Sequence, residues 1–261
     1  MKFLASLIAP LLLSSSVSGF SMSMQAASPG VVSKTADWEM HRIAPNVRVE
    51  GETRHAFAFS DPARDTIQVA IDSPSGRPVD SELNLWLGPD YTPFSLKCHT
   101  EDGKEYPIQT LIGTKGYNVN LEVKNIGPHS YPLTAACSYA IDPLSNAPKD
   151  VTSETPIYVE GGAVKNISFG PEVDQLQVLM KTDGKQLKAR IELLRGPNNI
   201  KQAFDVYSSN GEKNYLFLVF DMPGNTNAIR LKNLATLEYP LDFYYKASKI
   251  GDGEMPDMMW N

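Results

Sequence analysis

Val49-Glu50-Gly51 is echoed 110 residues later by Val159-Glu160-Gly161, and the echo continues along the chain. Phe59 returns as Phe169 at the same shift, Asp65, Gln68 and Val69 return as Asp174, Gln177 and Val178 at 109, and Gly88-Pro89 returns as Gly196-Pro197 at 108. Further on, Asp102-Gly103 aligns with Asn210-Gly211, Tyr106 with Tyr215, and Tyr131-Pro132-Leu133 with Tyr239-Pro240-Leu241. The order never breaks, and the weight rests on the triplets and the near-constant offset, since single matches arise by chance. A chain that carries one pattern twice in one order reads as two copies of a single structural unit.

Inside each copy the apolar positions alternate with period two, as a strand with one buried face requires. In the second copy Leu176, Val178 and Met180 form one such set, Leu187, Ala189, Ile191 and Leu193 another, followed by Tyr215, Phe217 and Val219, then Leu241, Phe243 and Tyr245. Turn chemistry separates these runs: Thr182-Asp183-Gly184, Gly196-Pro197-Asn198-Asn199, Ser209-Asn210-Gly211 and Pro223-Gly224-Asn225. The first copy has Ser73-Pro74-Ser75-Gly76, Gly88-Pro89-Asp90, Glu101-Asp102-Gly103 and Gly113-Thr114-Lys115-Gly116 in matching places. About seven short strands per copy predict an all-β chain of two tandem homologous antiparallel β-sandwich-like domains. The expected boundaries are 45–141 for the first domain and 157–247 for the second. Between them, 142–156 is rich in Pro, Asp and Ser, has no apolar period and reads as a linker. Asn199 to Phe204 fits a short helix or the start of a strand equally well.

The start of the chain has a different character. Met1-Lys2, the apolar run Phe3 to Leu13 and a small-residue stretch ending at Gly19 read as a signal peptide over 1–19, cut before Phe20. Residues 20–36 contain no acidic residue and are rich in hydroxyls, the composition of a transit peptide. The alternative is plain secretion. The run to Leu13 is too short for the roughly 20 residues of a spanning helix, so no integral membrane contact is expected. Twenty-four basic against 30 acidic residues leave a formal charge of −6, which argues against a nucleic-acid partner. The two cysteines, Cys98 and Cys137, read as buried thiols or as an oxidised pair.

Catalytic signatures are missing from the sequence. His41, His55, His99 and His129 lie scattered over the first half of the chain, the second copy has none, and no metal, nucleophile-elbow, phosphate-loop or dinucleotide motif is present. Asp61 with Asp65, and Asp205 with Asp221, read as solvated strand ends rather than paired carboxylates. Glu50-Gly51 and Glu160-Gly161 read as turns in which Gly supplies a positive φ and Glu sits in water. The expectation is therefore no catalytic residue, no cofactor and no metal. The last segment, 248–261, is an arm outside the repeat. Its Met255, Pro256, Met258, Met259 and Trp260 are expected to form an assembly contact, because adaptable apolar side chains on a terminus are costly to hydrate unless they dock.

The leader around Phe20, the paired Val49-Glu50-Gly51 and Val159-Glu160-Gly161, the stretch Glu192 to Phe204 and the apolar C-terminus together resemble the pyrenoid shell proteins of diatoms and related algae. That resemblance implies a structural plastid protein, located in the stroma at the pyrenoid periphery. It would polymerise as a homo-oligomer into an extended sheet-like lattice around the Rubisco-containing pyrenoid, with the Rubisco matrix as a further partner, and would support CO2 fixation. The rival expectation is a carbohydrate-binding tandem sandwich with Trp86, Tyr91, Tyr117 or Tyr207 as its aromatic platform.

Overall fold

Each turn signal separates two strands. The computed structural model describes residues 38–223 and 227–250. A single helical turn, α1 (Met40–Ile43), is followed by β1 (Val47–Val49), β2 (Arg54–Phe59), β3 (Thr66–Asp72), β4 (Val79–Trp86), β5 (Phe94–Thr100), β6 (Ile108–Gly113), β7 (Val119–Asn125) and β8 (Leu133–Tyr139). A 3-10 turn at Leu144–Asn146 and helix α2 (Ala147–Val151) lead into β9 (Ile157–Val159), β10 (Val164–Phe169), β11 (Val173–Lys181) and β12 (Leu187–Arg195). The chain then continues through β13 (Ile200–Ser208), β14 (Leu216–Asp221), β15 (Asn227–Asn233) and β16 (Leu241–Ile250). The protein is all-β, with sixteen strands in two antiparallel sheets among the described residues. The ambiguous stretch is strand from Ile200 onward, because β13 is paired on both sides, by β12 and by β5.

The two sheets have eight strands each, in the orders β1-β8-β3-β6-β14-β11-β16-β9 and β10-β15-β12-β13-β5-β4-β7-β2. Either order reads the same from both ends once β1 is exchanged for β9, β2 for β10 and so on. At the centre of each sheet a strand of the first half pairs with its counterpart in the second. Ile112 faces Leu216 across β6 and β14, and Phe94 faces Ser208 across β5 and β13. Segments 45–141 and 157–247 thus share both sheets instead of each closing a sandwich of its own, and β16 extends to Ile250. Edge strands β5 and β6 of an isolated half would be long and unpaired, and joining the halves removes those edges.

The strand alternation holds. Leu187, Ala189, Ile191 and Leu193 all face the space between the sheets, where they pack with Leu83, Leu85, Phe94 and Leu96 of the first half. Phe204 and Phe220, from opposite sheets, meet edge to face at 5.6 Å. A second apolar layer covers the outside of the first sheet. Trp38, Leu144, Ala147 and Val151 pack there on Leu111, Leu179, Phe217 and Tyr244. The stretch 142–156 is therefore docked onto the sheet rather than spanning solvent. Leu144, Ala147 and Val151 sit three and four residues apart, one face of a helix, within the Pro- and Asp-rich composition that reads as linker.

Gly51 and Gly161 are glycines for a reason other than a positive φ. A Cβ on Gly51 would lie 2.0 Å from the Pro128 carbonyl oxygen, and one on Gly161 1.8 Å from that of Thr236. The constraint is close backbone approach. The positive φ angles belong to the neighbours Glu52 and Gly162.

Candidate functional site

The two outer faces of the sandwich differ. The first sheet is roofed by α1, the 3-10 turn and α2, whereas the outer face of the second carries a charged network. Arg190 donates to Glu192 at 2.6 Å and to Asp205 at 2.6 Å, Arg230 donates to the other Glu192 oxygen, and Lys232 stands 3.7 Å away. Burial alone would raise the Glu192 carboxyl, but the hydrogen bonds from Arg190 and Arg230 and the charge of Lys232 outweigh it and hold the group below its ordinary value.

The sheets end in strands paired on one side. β1 and β9 are three residues long, but β2 and β10 are six and close the two ends of the second sheet. In β2, Arg54 to Ala56 and Ala58 are exposed, as are Val164 to Asn166 and Ser168 in β10. A strand bound on one side presents a row of unsatisfied N–H and C=O groups, which is a template for another strand. The surroundings of the two edges are unlike. Beside β10, the segments that meet where Gly161 touches Thr236 expose Tyr158, Val164, Leu234 and Leu237, the last at 76%. Beside β2 the matching segments carry Arg48 and Glu50, paired at 2.6 Å, and Arg54, paired with Glu122 at 3.2 Å.

Of the four aromatic candidates, Tyr91 and Tyr117 come together in a groove of about 310 Å³ with Leu87, Pro93 and Lys213. Tyr91 bonds Ser209 across the seam between the halves at 2.7 Å. Trp86 and Tyr207 do not line that groove, so the four make no single platform. The proposed contact residues Met255, Pro256, Met258, Met259 and Trp260 lie outside the described residues, as does the leader 1–36.

Chemistry-bearing groups stay apart. Asp205 faces outward from the second sheet and is held by Arg190, whereas Asp221 lies on the other sheet, where it accepts a bond from Gln175 at 3.0 Å. His99 pairs with Asp80 at 2.7 Å on the surface. Among the described residues no group of three or more His, Cys, Asp or Glu could hold a metal, and no helix is long and apolar enough to cross a membrane. Cys98 and Cys137 are unpaired, and burial pushes both thiols far above their ordinary value.

The family model for the diatom pyrenoid shell protein matches residues 38–247, which spans both halves and both sheets. The chain belongs to the diatom pyrenoid shell protein family. No curated protein matches this shell protein. Among solved structures it is similar to the PBSX exported protein XepA, at 9% identity over 77% of this chain and 85% of the other, with a TM-score of 0.26. It is also similar to procruciferin, an 11S globulin from Brassica napus, at 7% identity over 79% and 76% with a TM-score of 0.22. The vicilin of Solanum lycopersicum (tomato) matches at 8% over 73% and 74% with a TM-score of 0.19. None of the three bears on what this shell protein does.

The sequence missed two features of this surface. The unlike ends of the second sheet depend on which strands become edges, and no local signal marks an edge. The groove between Tyr91 and Tyr117 joins two turns that are brought together only when both have been placed.

Proposed function

We propose that this chain is a non-enzymatic structural subunit that joins end to end into a sheet around the Rubisco-containing pyrenoid. In this reading residues 1–19 and 20–36 direct it to the plastid, and the shell supports CO2 fixation. One observation carries the assembly mode: the second sheet ends in two six-residue edge strands, β2 and β10, at opposite ends of the molecule and in unlike surroundings. Pairing β10 of one copy with β2 of the next is a heterologous contact, which does not close on itself and so propagates. Tyr158, Val164, Leu234 and Leu237 would be covered in the same step. The arm would add a second link, with Met255, Met258, Met259 and Trp260, stiffened by Pro256, inserted in an apolar groove of a neighbouring subunit. The Tyr91–Tyr117 groove is the described surface that fits.

Electron microscopy of the purified protein without ligand tests the reading, and ordered sheets or tubes are expected. The edge mode has its own test. A chain with Ala56→Lys, Ala58→Lys, Asn166→Lys and Ser168→Lys should stay folded and dispersed, because like charges would face each other across the new strand pair. Replacing the β10 lysines by glutamates should restore growth. Dispersal of both variants would exclude β2-to-β10 pairing. Removing 252–261 should leave a folded, dispersed protein; unchanged polymerisation would make the arm dispensable.

A further inference from the structure

At one end of four adjacent strands in the middle of the first sheet, four lysines line a single pocket of about 290 Å³. Lys115 comes from the turn after β6, Lys181 from the end of β11, Lys213 from the turn before β14, and Lys149 from α2, which lies over the strand ends. The first and second halves and the connection between them all contribute, so the pocket straddles the seam.

Among the described residues none of the four lysines has a carboxylate within ion-pair distance. Lys181 lies over the ring of Tyr244 at 4.9 Å and Lys213 near that of Tyr117 at 6.0 Å. Two carboxylates also line the pocket, Asp65 and Glu212, and Asp65 already accepts a bond from the Thr66 hydroxyl at 3.2 Å. The lining therefore carries a net charge of two positive, in a chain whose formal charge is −6. Gathering like charges in one pocket is unfavourable unless a counter-charge occupies it.

The fold does not require this charge. At the opposite end of the same strands, Asp72 holds the position in β3 that Lys181 holds in β11. Glu105 likewise occupies the place of Lys213: the amides of Lys104 and Glu105 donate to Asp102 as those of Glu212 and Lys213 donate to Asn210. Two lysines at one end thus answer two carboxylates at the other on the same backbone, while Glu212 answers Lys104, so the net reversal of charge comes from Lys181 against Asp72. Lys149 belongs to α2, which packs on β11 and β16 as α1 packs on β3 and β8 at the opposite end.

We propose that this pocket binds a small, freely diffusing phosphate monoester. Such a group carries about two negative charges at pH 7, equal and opposite to the lining. The hydroxyls of Thr66 and Tyr215, bonded to each other at 2.9 Å, keep lone pairs that can accept from hydroxyls of the ester's polar body, and Leu179 and Pro148 form an apolar wall. A carboxylate monoanion would leave half the charge unmatched.

The test is isothermal titration of the full-length chain with glycerol 2-phosphate at low ionic strength, with glycerol as control. Saturable binding to the ester alone is expected, weakened on the order of tenfold by Lys149→Gln and again by Lys213→Gln, and weakened by added salt. Both residues are exposed, so the circular dichroism spectrum and urea midpoint should stay unchanged. Absence of saturable heat would overturn the proposal, as would equal affinity in both variants. Binding that appears only after removal of 251–261 would overturn it too, because the chain's own acidic arm would then be the occupant.

Discussion

Asn125 and Asn233 each close three hydrogen bonds inside the molecule, and those bonds explain why two triplets recur together. The Asn125 amide donates to the carbonyls of Val49 and Tyr131 at 3.1 and 2.8 Å and accepts from the Gly127 amide at 3.0 Å. Asn233 does the same for Val159, Tyr239 and the Ala235 amide, at 3.0, 2.9 and 3.0 Å. One buried side chain thus ties the Val-Glu-Gly turn to the Tyr-Pro-Leu turn in each half. Asn125→Ala or Asn233→Ala should cost about 3 kcal/mol, because each leaves buried carbonyls without a donor, and urea denaturation measures it. The two losses should add, since the sites lie at opposite ends of the sheets. Glu192 makes a pH-dependent contribution. Its folded pKa lies below the ordinary 4.5, so its stabilisation is complete above that value and is lost as pH falls through the lowered one. Glu192→Gln should therefore lower stability at pH 7 and flatten the acid limb of the stability curve. Cys98 and Cys137 should resist thiol reagents in the native protein and react on unfolding. The repeated motifs were legible in the sequence; the asparagines that join them were not, because a buried and an exposed Asn look alike along a chain.

At the scale of elements, strands and turns followed from period-two alternation and Gly, Pro and Asn punctuation. The stretch 142–156 shows the limit of composition. Pro143, Ser145, Asn146 and Asp150 give it linker character, yet Leu144, Ala147 and Val151 bury against Leu179 and Phe217. Val151→Ala should cost about 2 kcal/mol by leaving a cavity under α2, readable as a shifted urea midpoint. If 142–156 were a free spacer, the substitution would be silent. Tyr106 makes a related point. Sequence matching sets it opposite Tyr215, but equivalent turn bonds set it opposite Asn214: the Tyr106 amide bonds the Asp102 carbonyl at 2.9 Å, and the Asn214 amide bonds that of Asn210 at 2.9 Å. Identity of side chain misled where hydrogen-bond geometry decides.

For the whole molecule, the decisive feature is the seam. Phe94, Leu96 and Phe204 belong to one core, and two pairs of central strands cross the boundary between halves. A fragment of 45–141 alone would expose β5 and β6 as edges of seven and six residues, together with half of that core. It should self-associate or fail to fold, and sedimentation would show this; a stable monomer would mean that the seam contributes little. The unlike ends of the second sheet follow from the same arrangement, since placing β5 and β13 at its centre leaves β2 and β10 outermost.

The sequence by itself determined the all-β class, the strands and their turns, because these rest on periodicity and on residue chemistry within a few positions. Tertiary structure decided that the copies share two sheets, which strands became edges, where α2 docks and which lysines converge. Those outcomes depend on pairing between residues about a hundred positions apart, and the free energy of such pairing comes from surface buried jointly, which no local pattern encodes.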